Sequence, residues 1–180
     1  MLKQFFEIDI SVNNLWIYTG IYLLLNIGFI LFFPKYNIVK FIKIPVLKNY
    51  TLINKFSFYF ILGSTIFIPF ETKTINFYIG TCLFLIGILF YAAAMLFFAI
   101  SEYHLPATEG IYKFSRHPVY ISFFIIISGM IIISVSGILF IIALLHFYSA
   151  YFIIKEEEKD CEIKFGKAYL EYKQKTRKYI

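Results

Sequence analysis

Cysteine is scarce in this chain of 180 residues: there are two, Cys82 inside a long apolar run and Cys161 in a charged C-terminal stretch. Thiols placed that far apart suggest neither a disulfide nor a cysteine-held metal, and both read as structural. Charge is scarce as well. Charged residues make up 16% of the chain against 60% hydrophobic and 22% aromatic, with a mean hydropathy of +0.75. That balance excludes an ordinary soluble domain and places the chain among integral membrane proteins. Acidic residues are the rarer sign, 11 against 17 basic, for a net charge of +6. The basic residues flank apolar runs and form no aromatic-interleaved groove, so they point to membrane topology and anionic lipids as partners and not to nucleic acid. No small-residue cleavage site follows the first apolar run, which is therefore expected to remain as a helix.

What the chain has in abundance is apolar length. Leu15 to Phe33, Phe56 to Phe70 and Phe77 to Ile100 are apolar-rich runs, and Pro118 to Ile154 contains no Lys, Arg, Asp or Glu. At about 1.5 Å per residue the last would stretch roughly 55 Å against a hydrocarbon core of about 30 Å, so it is expected to fold back near Ser134 to Gly137. Five spans result. With that count Lys35, Lys40, Lys43, Lys48 and Lys55, the pair Lys113 and Arg116, and the eight basic residues of the tail all fall on one side, leaving Lys3 and Lys73 opposite. Basic residues accumulate in the cytoplasm, so the N-terminus is expected outside and the C-terminus inside, in a prokaryotic inner membrane. The expected fold is all-α and polytopic, one domain over 1–180 with three helices in 1–100, a cofactor-binding half in 101–180 and a C-terminal cytoplasmic helical cap. Residues 1–14 are expected along the outer surface and the Pro34 to Lys55 loop in the headgroup layer. Gly80, Gly87 and Ala92 to Ala94 read as small residues for close helix packing, and Asn26 as a bond to a neighbouring helix.

Between two apolar runs stands GIYKFSRHPVY, Gly110 to Tyr120, a polar cluster that is costly beside lipid. His117 precedes a proline and is pushed away from helical geometry, while Pro118 is preset for the first position of the following helix. Arg116 and His117 thus add cationic donors to a helix N-terminus that already favours an anion. The plainer reading is that Arg116 marks the cytoplasmic rim of a span. His146 lies within the last apolar run, eleven residues before Glu157 and on the same helical face; an ionisable group there is either functional or bonded to a neighbouring helix. In the tail, Cys161, Phe165, Ala168, Tyr169 and Tyr172 recur at helical spacing as a stripe able to pack on the bundle's mouth. Glu156 with Asp160 and Glu158 with Glu162 are like-charged pairs four apart, which suit either a bound cation or a solvated acidic face.

Together, GIYKFSRHPVY and the later Glu157, Glu158, Phe165, Gly166, Tyr169 and Tyr172 resemble the isoprenylcysteine carboxyl methyltransferase and phospholipid methyltransferase family of integral membrane enzymes. The resemblance covers roughly the C-terminal half. It implies S-adenosylmethionine as cofactor, bound at the cytoplasmic end under the tail, with a lipophilic substrate arriving from the bilayer. Carried onto this sequence, it implies Tyr112, Arg116, His117, Tyr120, Glu157 and Glu158 at the cofactor, with His117, Arg116 and Glu157 catalytic and no metal. Ser122, Cys161 and Arg177 depart from the family's usual Gly, Leu and Pro, which bears on substrate more than on cofactor. The residues agree with that cofactor: Arg116 and His117 suit its carboxylate, and the paired glutamates suit its amino group, ribose hydroxyls and sulfonium. Two other readings are a membrane reductase of the sterol reductase type using NADPH, and a non-catalytic membrane binding protein.

Overall fold

The computed structural model describes residues 13–32, 48–102 and 104–179. Residues 1–12 of the expected surface segment at 1–14, and 34–47 of the expected interfacial loop Pro34 to Lys55, lie outside the described residues. Among the described residues six α-helices follow one another: α1 Trp16–Phe32, α2 Lys48–Ser64, α3 Ile75–Ile100, α4 Pro118–Ser134, α5 Gly137–Phe165 and α6 Lys167–Lys175, with a 3-10 turn at Gly110–Lys113. No strand is present among the described residues, so the fold is all-α. Helices α3 and α5 are long and apolar enough to cross a membrane, while α1 and α4 are apolar but shorter. The outside is apolar: Leu31, Phe32, Phe56 and Leu89 are each at least 70% exposed, a surface that belongs against lipid. The chain is a membrane protein.

The second helix begins and ends earlier than the run Phe56 to Phe70 suggests. Apolarity alone does not distinguish a helix from a buried extended segment. After Ser64 the chain leaves the helix, and Ile66 to Phe70 pairs with the entry to α1 through Leu15 N–H to the Ile68 carbonyl (3.0 Å), Phe70 N–H to the Asn13 carbonyl (3.0 Å) and the Asn14 amide to the Ile66 carbonyl (2.7 Å). At its other end α2 gains polar turns that no hydropathy window reports, held by Tyr50 stacked on Phe152 of α5 with ring centroids 4.1 Å apart.

Helices α3 and α4 meet backbone to backbone. A Cβ on Gly80 would lie 2.6 Å from the Gly129 carbonyl oxygen, and one on Gly87 would lie 2.8 Å from the Ile126 nitrogen, so the small residues permit the approach expected of them. Helix α1 is tied to this pair by polar groups. The Tyr91 hydroxyl donates to Asn26 Oδ1 (2.6 Å), and Tyr18 and Thr81 share a bond of 2.8 Å. Opposite, α2 packs along α5 through Asn54, Ser57, His146 and Ser149.

Between α4 and α5 the chain reverses where length demanded it. Val135 adopts a left-handed conformation (φ 51°), and the Ser136 side chain caps α5 by accepting from Leu139 N–H. The hairpin is antiparallel, with Phe124 beside Phe147 near its middle and Tyr120 beside Glu157 at its far end. Helix α5 runs 29 residues, about 44 Å at 1.5 Å per residue. Its apolar part ends at Ile154, so the charged turns from Lys155 onward project beyond the span. The tail stripe does not continue as one helix. Gly166, at φ +53°, closes α5 and redirects the chain into α6, a backbone geometry that glycine adopts at little cost. Tyr169 and Tyr172 are consequently buried, and Ala168 is exposed.

Candidate functional site

The local geometry at the start of α4 is the one its proline dictates. Pro118 is the first helical residue and His117 the cap, at φ −127° and ψ 52°. Just upstream, Ser115, Arg116 and the 3-10 turn are clasped by the end of the chain. Arg116 N–H donates to the Arg177 carbonyl (3.1 Å), Ser115 Oγ to the Lys178 carbonyl (3.1 Å), and the Tyr172 hydroxyl to the Tyr112 carbonyl (2.7 Å). The tail after α6 therefore folds back over the polar cluster, which brings the two distant motifs together.

The adjacent glutamates have different surroundings. Glu158 faces the clasp: Arg116 Nη2 donates to its Oε1 at 2.8 Å and Arg116 Nε at 3.1 Å, His117 Nε2 lies 3.2 Å from the same oxygen, and Lys178 Nζ lies 3.4 Å from Oε2. The anion that relieves the repulsion at this helix end is thus one of the protein's own carboxylates. Burial raises the Glu158 pKa, but the bonds from His117 and Arg116 more than offset it and hold the carboxyl well below the usual range. Arg116 spends its remaining reach on the carbonyls of Thr176 (2.7 Å) and Lys173 (3.0 Å). On the rest of the acidic face Glu156 is paired with Lys159 and Glu162 with Lys173, both at 2.6 Å, while Asp160 lines the cavity described next.

Glu157 points instead into a cavity of about 770 Å³. Its one short bond comes from Tyr120, whose hydroxyl donates to Oε1 at 2.7 Å, and the nearest basic atom is His117 Nδ1 at 3.9 Å from Oε2. Burial pushes this carboxyl up to about 7, with Tyr120 opposing and Asp160 adding to the rise. His117 supplies no full charge, because burial lowers its pKa against the pull of Glu158. With Nε2 donating to Glu158, Nδ1 of the neutral ring is left as an acceptor facing Glu157. Two acceptors side by side form a place for a cation with hydrogens to donate.

Of the six residues expected at the site, Tyr112, Arg116, His117, Tyr120 and Glu157 line the cavity, and Glu158 does not. Cys161, Phe165, Tyr169 and Tyr172 from the tail stripe line it as well. Burial raises the Tyr112 phenol well above its ordinary value, so the ring is a neutral wall. Residues far earlier in the chain complete the cavity: Tyr22 and Asn26 of α1, Asn54 and Phe58 of α2, and Tyr91 of α3. No motif in the first hundred residues announces them; Asn26 alone could be found by its polarity in an apolar run. The volume falls within the roughly 300–1,000 Å³ usual for small-molecule and cofactor sites.

The sequence model of the phospholipid methyltransferase family matches residues 75–168, just over half of the chain. That segment contains α3, the polar cluster, the α4–α5 hairpin and both glutamates. No curated protein and no solved structure matches the chain.

Proposed function

The chain belongs to the phospholipid methyltransferase family, and from that membership and the chemistry of its cavity we propose that it transfers a methyl group from S-adenosylmethionine to a lipophilic acceptor at the cytoplasmic face of the membrane. The observation that carries this reading is Glu157, a carboxylate without a cationic partner, aimed into a cavity shared by the polar cluster and the lipid-embedded helices. An amino or sulfonium group is the natural complement of a desolvated carboxylate. The orientation in this reading has α1 and α2 crossing with α3, α4 and α5, the N-terminus outside and the tail in the cytoplasm, as the distribution of lysines favours.

S-adenosylmethionine, when bound, supplies an activated methyl that leaves by in-line displacement. The residues present fit such a group. Glu157 takes its cationic end, and Tyr120 fixes the Glu157 carboxylate by its 2.7 Å bond. Tyr112, Tyr169 and Phe165 wall the site and exclude water, so that alignment of donor and acceptor does most of the catalysis. Arg116 and Glu158 hold these groups in place by locking the tail over them. A carboxylate acceptor needs no base. An amine acceptor must lose a proton, and His117 Nδ1, neutral and facing the cavity, is placed to receive it.

The test is transfer of radiolabel from S-adenosylmethionine to membrane lipid by purified protein, with Glu157→Gln alongside. Label in lipid with the parent and about tenfold or greater loss with the variant is the expected result. Binding of NADPH without binding of S-adenosylmethionine would sink this reading in favour of a reductase.

A further inference from the structure

The cavity does not end at the cytoplasmic rim. It continues between the helices past Phe58 and Phe123 to His146, a histidine with no part in binding at Glu157. His146 is 5% exposed and ringed by Phe58, Phe123 and Phe147. Its neighbours fix its tautomer. The Asn54 carbonyl only accepts, so the Ser57 hydroxyl gives its one proton there (3.0 Å) and meets His146 Nδ1 (3.1 Å) as an acceptor. The two Asn54 amide hydrogens go to Ser149 Oγ (3.1 Å) and the His146 carbonyl (3.3 Å), which leaves none for Nδ1 at 3.4 Å. Nδ1 therefore carries the ring proton, and Nε2 keeps a lone pair. That nitrogen has no hydrogen-bond partner among the described residues and is open to the cavity. Its complement is a neutral donor. An ammonium would need a carboxylate, and Glu157 and Asp160, which line the cavity, lie eleven and fourteen residues further along α5, about 16 and 21 Å along its axis. An amide would bring a carbonyl to donors already spent, since Asn54 is engaged, Tyr91 donates to Asn26 and Asn26 to the Tyr22 carbonyl. A hydroxyl on an aromatic ring suits both the lone pair and the phenylalanine wall.

We infer that the methyl acceptor is a lipophilic phenol, its ring among Phe58, Phe123 and Phe147 and its hydroxyl donating to His146 Nε2. This inference rests on the methyltransferase reading of the cavity and names its substrate class. The spacing of the two ends agrees with it. Eleven residues separate His146 from Glu157, about 16 Å along the helix and within about 20° of one face. A cofactor ammonium sits about 3 Å from the Glu157 carboxylate, and about five bonds of extended chain at roughly 1.2 Å each carry it to the methyl carbon. A further 3 Å or so reaches the attacking oxygen and about 3 Å more reaches Nε2, about 15 Å in all. His146 takes the phenol proton on Nε2 as the oxygen bonds the methyl carbon, the carbon–sulfur bond breaks and its electron pair stays on sulfur. The positive charge passes from sulfonium to imidazolium, so the desolvated site keeps its net charge through the step, and the proton returns to water as the ether leaves. A phenol, with an ordinary pKa of about 10 as in tyrosine, yields that proton more readily than an aliphatic alcohol. The ester carbonyls of a diacyl lipid in the same place would set acceptors against the lone pair.

The experiment offers para-dodecylphenol and its methyl ether together to the purified full chain in detergent without cofactor, and the bound ratio is read by native mass spectrometry. The parent should favour the phenol about three- to tenfold, the size of one neutral hydrogen bond. His146→Phe should bind both alike. Ser57→Ala, which frees the ring proton to move to Nε2, should lose most of the preference although Ser57 touches neither ligand. Equal binding of the two compounds by the parent, or an undiminished preference in His146→Phe, overturns the inference. Should His146→Phe not fold, the parent labelled with ¹⁵N-histidine decides: His146 Nε2 is unprotonated without ligand and its resonance shifts with the phenol and not with the ether, or the inference is wrong. With radiolabelled S-adenosylmethionine added, label should appear in the methyl ether; a bound phenol left unlabelled while membrane lipid is labelled also overturns it. Absent preference with intact cofactor binding overturns this inference alone, whereas preference without cofactor binding overturns the methyltransferase reading and leaves a phenol site at His146.

Discussion

Along α3 and α4 the contact is made by absent side chains: Gly80, Gly87 and Gly129 bring two backbones together, and no charge is involved. At the junction of α5 with the tail the contact is made by charge, with Arg116 and Glu158 each about 10% exposed and joined through two guanidinium nitrogens. One interface lies between two apolar helices, and the other lies where the charged turns of α5 begin. Packing without polar groups leaves nothing for a ligand to exchange with. A charged clasp can leave one member unspent, and here the unspent member is Glu157, next in sequence to the glutamate that is fully engaged.

The largest effect should come from breaking the clasp. Arg116→Ala leaves Glu158 buried with weaker partners, which should cost about 3–5 kcal/mol, seen as a lower thermal midpoint in detergent. Arg116→Lys should restore little, because an ammonium cannot reach the Glu158 carboxylate and the Thr176 and Lys173 carbonyls together. Next comes the glycine interface. Gly129→Ala would set a methyl 2.7 Å from the Phe84 nitrogen, and should cost about 1–3 kcal/mol. Gly20→Ala, with nothing within 4 Å of the added carbon, is the control and should be neutral or slightly stabilising.

Glu157→Gln should sharpen the contrast between the two regions by not lowering stability while reducing S-adenosylmethionine affinity about tenfold to a hundredfold. Its pH signature has a definite sign. The folded carboxyl titrates near 7 against an ordinary 4.5, so the folded state holds the proton more tightly, and stability should fall as pH rises from about 5 through 7. The Gln variant should lack that slope in thermal melts. Smallest is Tyr120→Phe, which removes one hydrogen bond to Glu157 and should weaken cofactor binding about two- to tenfold with little change in folding, measurable by calorimetry.

Much of this arrangement is written in local chemistry. Pro118 sets the start of α4, the uncharged length from Pro118 to Ile154 forces the reversal at Val135, and the glycines of α3 mark its packing face. These are properties of short stretches, and the chain alone states them. Other features depend on what arrives from elsewhere. Glu157 and Glu158 are the same residue type and differ by about 100° around α5, so only the position of Arg116 and of the returning tail separates the clasp from the site. The bounds of α2 were hidden for a related reason, since Ile66 to Phe70 is as apolar as a helix but is used as an extended partner for Asn13 to Leu15. Asn54 and Ser57 carry no pattern that pairs them with a histidine some ninety residues later.

The division of labour between the glutamates is tested most directly by titrating S-adenosylmethionine into the purified protein by calorimetry at pH 6 and pH 8, in buffers of different ionisation enthalpy. A cationic ligand favours ionised Glu157, so affinity should rise with pH and up to one proton should be released per ligand at pH 6. The release should disappear in Glu157→Gln and persist in any Glu158→Gln protein that remains folded. Affinity independent of pH with no proton released, or an unchanged isotherm in Glu157→Gln, would contradict the account.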